Sequence, residues 1–244
     1  MHHVVLDRWS RGSSCFHHRD PRAKIVALLA LLVALATASR GIVLLGGALA
    51  FLLLVSLRWA RIPVGAASAR AALVLPFTAV FAGLSWMAGD PTRALFLGVK
   101  SYVSALAVVW LVSTTPLPML LRGFGRLGAP RFLLEVGQFL YRYLFVISEE
   151  GQHMRNAAAA RGGPVRQWIN RRNRFRAAAG ALAVLFARSY LRAEEIHRAM
   201  LARGFQGTLP VLEAGQFRVG DALFAVAAVV LIVTLRIASQ GMVE

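Results

Sequence analysis

Long apolar blocks are the feature of this sequence that most restricts its fold. Four blocks lie at 25–39, 41–57, 71–88 and 94–113, and a shorter one lies at 222–235. A helix of about 20 apolar residues, or about 17 at the least, crosses the hydrocarbon core of a bilayer. Because a backbone polar group without a hydrogen bond is costly in lipid, such blocks favour helices. The sequence therefore predicts an all-α, polytopic membrane helix bundle with about five transmembrane helices.

Local signals refine these blocks. The chain is 57% hydrophobic, above the roughly 45–50% of soluble domains. Asp20 can cap the first helix, and Pro21 suits its first turn. Pro76 lies inside the third block, where we expect a kink, because membrane helices tolerate proline. Lys100 interrupts the fourth block, and we expect it either to snorkel to the membrane surface or to contact a partner subunit.

Basic residues alternate between the predicted loops and indicate the topology. The segment before residue 25 has five, the 58–70 loop has three, and residues 114–218 contain 16 arginines. The two intervening loops hold only Arg40 and Arg93. Since Lys and Arg accumulate on the cytoplasmic side, the N-terminus and the 114–218 region are predicted to be cytoplasmic. We expect a multi-pass protein of the cell (inner) membrane with its C-terminus outside.

The net charge of +17 could suggest a nucleic-acid partner. The sequence, however, has no basic run interleaved with aromatic residues and no DNA-binding motif. Basic loops that face the lipids of the cytoplasmic leaflet explain the charge more simply. We therefore expect membrane lipids, and no nucleic acid, among the partners.

The 114–218 region differs from the rest and separates the chain into membrane helices at 1–113, a cytoplasmic region at 114–218 and a last membrane helix at 219–244. Apolar residues recur in 131–161 near the 3.6-residue period, opposite a polar stripe, which predicts an amphipathic helix. A second helix is predicted from near Arg171 to Arg203, and a short one within 116–130.

The tripeptide Ala-Arg-Gly occurs at the predicted end of each long cytoplasmic helix. The two copies are Ala160, Arg161, Gly162 and Ala202, Arg203, Gly204. Taken alone, either copy is explained as a cap, since glycine ends helices and arginine is favoured near their C-termini. Their shared context favours a second interpretation, in which each end docks into a partner. Small residues allow close approach, and arginine donates to carboxylates or carbonyls. Two similar ends suggest two copies of one partner.

Catalytic and metal-binding alternatives find little support. The six histidines lack the i,i+4 spacing of helix metal sites, and none lies in an apolar block. The four aspartates are far apart. Neither lysine follows a glycine, so the chain has no P-loop for ATP. We therefore predict no catalytic residues, no metal site and no cofactor in this chain. A self-contained secondary transporter or a membrane scaffold remains the alternative.

Ahead of the first block stand His18, Asp20, Pro21, Arg22 and Lys24. Together with the paired Ala-Arg-Gly ends, this pattern resembles the transmembrane (T) component of energy-coupling factor transporters, of the CbiQ-like cobalt/nickel type. The family's opening motif is close to His-x-x-Asp-Pro-Arg-x-Lys; counted back from Asp20, its histidine falls on His17, next to His18, and leucine often stands where this chain has Arg19.

The resemblance implies a non-catalytic subunit with cytoplasmic coupling helices. Two ATP-binding-cassette (ABC) subunits would bind ATP, and each would receive one coupling-helix end through Arg161 or Arg203 and the flanking alanine and glycine. A separate membrane subunit would bind the substrate. The cargo would be a divalent transition-metal ion, with cobalt favoured over nickel.

Overall fold

All regular structure in the described part of the chain is helical. The computed structural model describes Trp9, Gly12, Ser14 and residues 16–38, 41–161, 171–207 and 218–241. The helices are α1 Pro21–Thr37, α2 Ile42–Trp59, α3 Val64–Ala72, α4 Leu75–Met87, α5 Pro91–Thr114, α6 Leu117–Arg126, α7 Arg131–Ala160, α8 Arg171–Ala202 and α9 Val219–Gly241. The predicted all-α fold is confirmed, and the predicted ends of α7 and α8 lie within one residue of those observed.

The helices form two compact units. The first contains α1–α6 and α9, and the second contains α7 and α8. The cytoplasmic region predicted from residue 114 stays a prediction, and in the structure α6 belongs to the first unit. The cause is close packing against α1, since a Cβ on Gly123 would lie 3.0 Å from Ile25 Cδ1 and 3.2 Å from Pro21 Cβ.

The first unit contains the membrane-spanning helices. By length and composition, α2, α5 and α9 can each cross a bilayer, and α3 and α4 could together form a fourth span. The 17 residues of α1 lie near the lower limit of about 17 for a crossing. These helices confirm a membrane helix bundle, while the number of five spans stays a prediction. The helix α9 has 23 residues, so it extends well beyond the apolar block at 222–235.

The third apolar block differs from its prediction. Instead of one helix kinked at Pro76, the structure has two helices, α3 and α4, which meet at an angle of 48°. Pro76 lies in the first turn of α4, where its missing N–H is not needed. In a continuous helix its ring would clash with the carbonyl of Ala72, and Ala72 is the last residue of α3.

Hydrogen bonds at both ends of α1 show the direction of α1 relative to its neighbouring helices. Lys24, in the first turn of α1, donates to Thr114 at the end of α5, at 3.0 Å. At the other end of α1, Lys100 Nζ donates to the carbonyl of Ala36 at 3.1 Å. The helices α1 and α5 are therefore antiparallel.

The helix α9 runs parallel to α1. Asp221 accepts from the backbone N–H of Asp20, and Arg236 donates to the carbonyl of Thr37 at 2.6 Å. Lys100 and Arg236 thus both bind the C-terminal carbonyls of α1, the end of a helix that favours cations. Lys100 makes this contact within the chain, which neither expectation for this residue had included.

Gly46 is a position of close approach between α2 and α5. A Cβ there would lie 2.3 Å from Val99 Cγ1, whereas one on the neighbouring Gly47 would meet nothing within 4 Å. We expect Gly46→Leu to force the helices apart at a cost of about 1–3 kcal/mol, the usual range for overpacking. Gly47→Leu is the matched control. Thermal unfolding of the purified chain in detergent should show a lower midpoint for Gly46→Leu only; equal midpoints would contradict this packing.

Candidate functional site

The helix α7 ends in four alanines followed by Arg161. Residues 157–161 are all exposed. Arg161 is the C-cap residue, and its N–H donates to the carbonyl of Ala157 at 3.2 Å. Gly162, the last residue of the predicted site on this helix, lies outside the described residues. The structure therefore confirms a helix end at this copy of the tripeptide, with an exposed arginine on it.

The helix α8 ends in the same way. Arg203 directly follows the last helical residue, Ala202. Gly204 has φ +80°, the left-handed conformation that glycine adopts without strain. The N–H of Phe205 donates to the carbonyl of Met200, and that of Gly204 donates to Leu201, at 3.0 and 2.9 Å. This pattern is a Schellman cap, so the capping interpretation holds for this copy.

The capping role leaves both guanidinium groups available. Arg161 and Arg203 occupy the same position relative to their helices, and both are exposed. In the described part of the chain, neither forms an ion pair with a carboxylate. Each arginine therefore presents a forked set of N–H donors, suited to carboxylates, beside small alanine side chains.

An ion pair joins the two long helices. Arg188 of α8 donates to Glu150 of α7, and Glu150 lies 11 positions before Arg161 and Arg188 lies 15 positions before Arg203. At a rise of 1.5 Å per residue, the two arginine ends lie roughly 16 and 22 Å along their helices from this pair. The ion pair thus lies well back from both ends.

The N-terminal motif residues form a junction in the first unit. Asp20 caps α1 by accepting from the N–H of Arg22 at 2.9 Å, as the sequence predicts. Lys24 is fully buried, and its Nζ donates to Thr114 O at 3.0 Å and Thr115 Oγ1 at 2.8 Å. Pro21 lies against Gly123 of α6. Four of the five motif residues therefore hold the start of α1 in place, whereas His18 is exposed.

Asp221 is the member of this junction that sequence reasoning missed. It is buried, accepts from the N–H of Asp20 at 3.3 Å, and lies 3.6 Å from Arg19 Nη1. Burial, and then the charge of Asp221, raise the pKa of the Asp20 carboxyl. The sequence signal was a carboxylate at the edge of an apolar block, where a partner is needed, but that partner is 201 positions away.

The histidines in the described part of the chain form no candidate metal centre. His17 Nδ1 lies 2.6 Å from Ser14 Oγ, and its Nε2 lies 2.9 Å from the carbonyl of Trp9. No group of three or more His, Cys, Asp or Glu side chains that could hold a metal ion lies within the described residues. His17 therefore acts in the described part of the chain as a local link in the N-terminal segment.

Comparison with known proteins identifies a family. The family model described as "CbiQ: Cobalt transport protein" matches residues 12–212. That range includes the N-terminal motif, both Ala-Arg-Gly tripeptides and the two long helices α7 and α8. The match therefore covers most of the chain and both parts of the candidate site.

Curated relatives carry related names. A cobalt transport protein CbiQ of Rhodobacter capsulatus is 30% identical over 132 residues, 53% of this chain and 52% of that protein. The match thus spans about half the length of that relative. The Salmonella typhimurium CbiQ is 27% identical over 228 residues, 83% of this chain and 97% of its own. The energy-coupling factor transporter transmembrane protein EcfT of Acidaminococcus fermentans is 28% identical over 238 residues, 84% of each chain.

Lys24 provides a test of the junction. Lys24→Met removes the ammonium group that donates to Thr114 O and Thr115 Oγ1. Both acceptors would then be buried without this hydrogen bond. An unsatisfied buried polar group costs about 1–3 kcal/mol, so the thermal unfolding midpoint should fall. Lys100→Met, which removes one bond at a partly exposed site, is the control and should have a smaller effect. Equal midpoints for the two variants would contradict a stabilising role for Lys24.

Proposed function

We propose that this chain, which belongs to the CbiQ family of cobalt transport proteins, is the energy-coupling membrane subunit of an ATP-driven uptake transporter. The observation that carries the proposal is the pair of exposed arginines, Arg161 and Arg203, at equivalent ends of α7 and α8. Each would dock into one ABC ATPase subunit, so one chain would bind two ATPases. The name of the Acidaminococcus relative, an energy-coupling factor transporter protein, supports this role.

The geometry of α7 and α8 suits the transmission of movement. These helices have 30 and 32 residues, or about 45 and 48 Å at 1.5 Å per residue. A movement of an ATPase at either arginine would act on a rigid helix. Because Glu150 and Arg188 join the helices, a displacement of one would be resisted or shared by the other.

ATP would be bound and hydrolysed by the partners. Lys24 follows an alanine and Lys100 follows a valine, whereas a P-loop needs a Gly-Lys pair. The chain itself would be a non-catalytic subunit, placed in the cell (inner) membrane with its N-terminus, α7 and α8 in the cytoplasm. The excess of arginine in those segments supports that orientation.

The cargo would be a divalent transition-metal ion bound by a separate membrane subunit. Two curated relatives are named as cobalt transport proteins, so cobalt is the first candidate and nickel the second. The selectivity for the ion would come from the partner subunit. This chain would couple that subunit to the ATPases.

Charge reversal of the two arginines tests the docking. We expect Arg161→Glu with Arg203→Glu to abolish co-purification of the ATPases and ATP-dependent cobalt uptake by cells. Breaking one hydrogen-bonded charge pair at an interface costs about 2–5 kcal/mol, which corresponds to a loss of about 30-fold or more in affinity at each end.

The matched control changes the same charges elsewhere on the same helices. Arg155 and Arg192 are exposed residues of α7 and α8 that precede the helix ends. Arg155→Glu with Arg192→Glu should leave uptake and ATPase binding near wild type. Normal uptake in the double variant of Arg161 and Arg203 would exclude the proposed docking.

Reconstitution distinguishes the proposal from a self-contained transporter. Liposomes that contain the purified chain alone should take up no cobalt, with or without ATP. Adding the two ATPases and the metal-binding subunit from the same organism should give uptake that requires ATP. Metal uptake by the chain alone would favour a secondary transporter. In the complete system, competition between cobalt and nickel would establish which ion is preferred.

A further inference from the structure

The first unit contains a cavity of about 370 Å³ between α1, α2, α5 and α9. That volume falls within the range of about 300–1,000 Å³ for ligand pockets. Three of these helices, α2, α5 and α9, are long and apolar enough to cross a bilayer. In a membrane the cavity therefore opens among hydrocarbon chains, and lipids are its most abundant neighbours.

The walls of the cavity select an apolar occupant. Fifteen of the sixteen wall residues are hydrophobic, and the exception is Ser56. The hydroxyl of Ser56 already donates to the carbonyl of Leu53 at 2.7 Å. A metal ion or another polar solute would therefore lose its hydration without gaining partners, whereas an acyl chain would lose nothing.

A helix with its side chains is about 10–12 Å wide, whereas a single extended acyl chain is much narrower. The narrower occupant suits a space that lies between four helices.

The end of the cavity near the close of α2 is aromatic, and two arginines adjoin it along the chain. Trp59, the last residue of α2, lines the cavity and is largely exposed, as is common for tryptophan at a membrane interface. Arg58 and Arg61 flank it, and both are exposed. An anionic lipid headgroup at this end would find two guanidinium groups beside it.

Arg61 has an unusual backbone conformation. Its φ is +57°, the one positive φ at a non-glycine residue in the described ranges. It lies in a Schellman cap, since the N–H of Ile62 donates to Leu57 O and that of Arg61 to Arg58 O, both at 3.1 Å. Glycine usually occupies this position because it adopts the left-handed conformation without strain. An arginine at such a position points to a role for its side chain.

We infer that the cavity binds one acyl chain of an anionic phospholipid, whose phosphate contacts Arg58 and Arg61. The acyl chain lies between α1, α2, α5 and α9 and fills space that would otherwise be empty. The lipid fixes the packing of α2 and α9 around it.

Photo-labelling of the full chain tests this site. The chain is reconstituted in phosphatidylcholine nanodiscs that contain phosphatidylglycerol with a diazirine in one acyl chain, irradiated, and mapped by mass spectrometry. Adducts should concentrate on cavity residues such as Leu52, Trp59 and Phe224. Phe77 and Phe81 of α4, which are exposed and outside the cavity, report ordinary lipid contact. Equal labelling of the cavity residues and of Phe77 and Phe81 would contradict the proposed lipid site.

A pair of neighbouring alanines provides the matched variants. Ala228 lines the cavity, whereas Ala227 is exposed and does not. Ala228→Phe should reduce the cavity adducts about tenfold by occupying the space, and Ala227→Phe should leave them unchanged. Unchanged labelling in a folded Ala228→Phe chain would contradict an acyl chain in the cavity. If that variant does not fold, the positions of the adducts on the wild-type chain and the labelling of Arg61→Gly test the lipid site instead.

Arg61→Gly tests the headgroup without disturbing the backbone. Glycine tolerates the positive φ, so the variant should unfold at the same or a higher temperature than the wild type. Labelling by the phosphatidylglycerol probe should fall to the level of a phosphatidylcholine probe with the same acyl chain. Arg93→Gln, at the other end of the first unit, should have no effect. Equal labelling by both probes in the wild type would refute recognition of an anionic headgroup.

Discussion

The first unit depends on the buried ammonium group of Lys24. Its hydrogen bonds to Thr114 and Thr115 join the first turn of α1 to the end of α5 and to the connection that leads into α6. A buried charge without partners would be very costly, so these bonds strongly favour one arrangement of the helix ends. Asp20 and Asp221 supply negative charge close by, and Asp221 holds the start of α9 at the same junction. The motif ahead of the first membrane helix thus connects the starts of α1 and α9 to the end of α5.

The two units differ in how far their apolar side chains are buried and their charged side chains are paired. The first unit buries a continuous set of leucine, isoleucine, valine and alanine side chains and binds its own charged groups at both ends of α1. In contrast, α7 has no buried residue, and its apolar side chains, such as Leu133 and Leu140, are exposed. Exposed apolar stripes and exposed arginine ends are surfaces suited to other proteins. The proposed coupling role assigns these surfaces to ATPase and membrane partners.

Much of this structure could be predicted from the sequence because its signals are local. The periodicity and terminal glycines of α7 and α8 determine their ends, and Asp20 and Pro21 determine the start of α1. The break between α3 and α4 was not predicted, because two rules for proline give different outcomes. Membrane helices tolerate an internal proline, which favours one kinked helix, whereas proline is also common in a first turn, which favours a new helix at Pro76. The apolar block at 222–235 is shorter than α9 because polar residues at both ends of the helix, including Asp221 and Arg236, are helical and bonded to α1. Such partners are distant in sequence, and no local pattern shows them.

Within the candidate site, the sequence identified the two arginine ends, and the structure places both on exposed helix termini. What each arginine binds is the central claim of the proposed function. A crosslinker can test it in the assembled complex, since Cys15 is the one cysteine and can be replaced by serine. A benzophenone maleimide would then be attached to Ala160→Cys, to Ala202→Cys or to both. The account predicts one ATPase crosslinked to each single-cysteine chain and two ATPases crosslinked to the double-cysteine chain. Absence of ATPase adducts at both positions in an intact complex would contradict it.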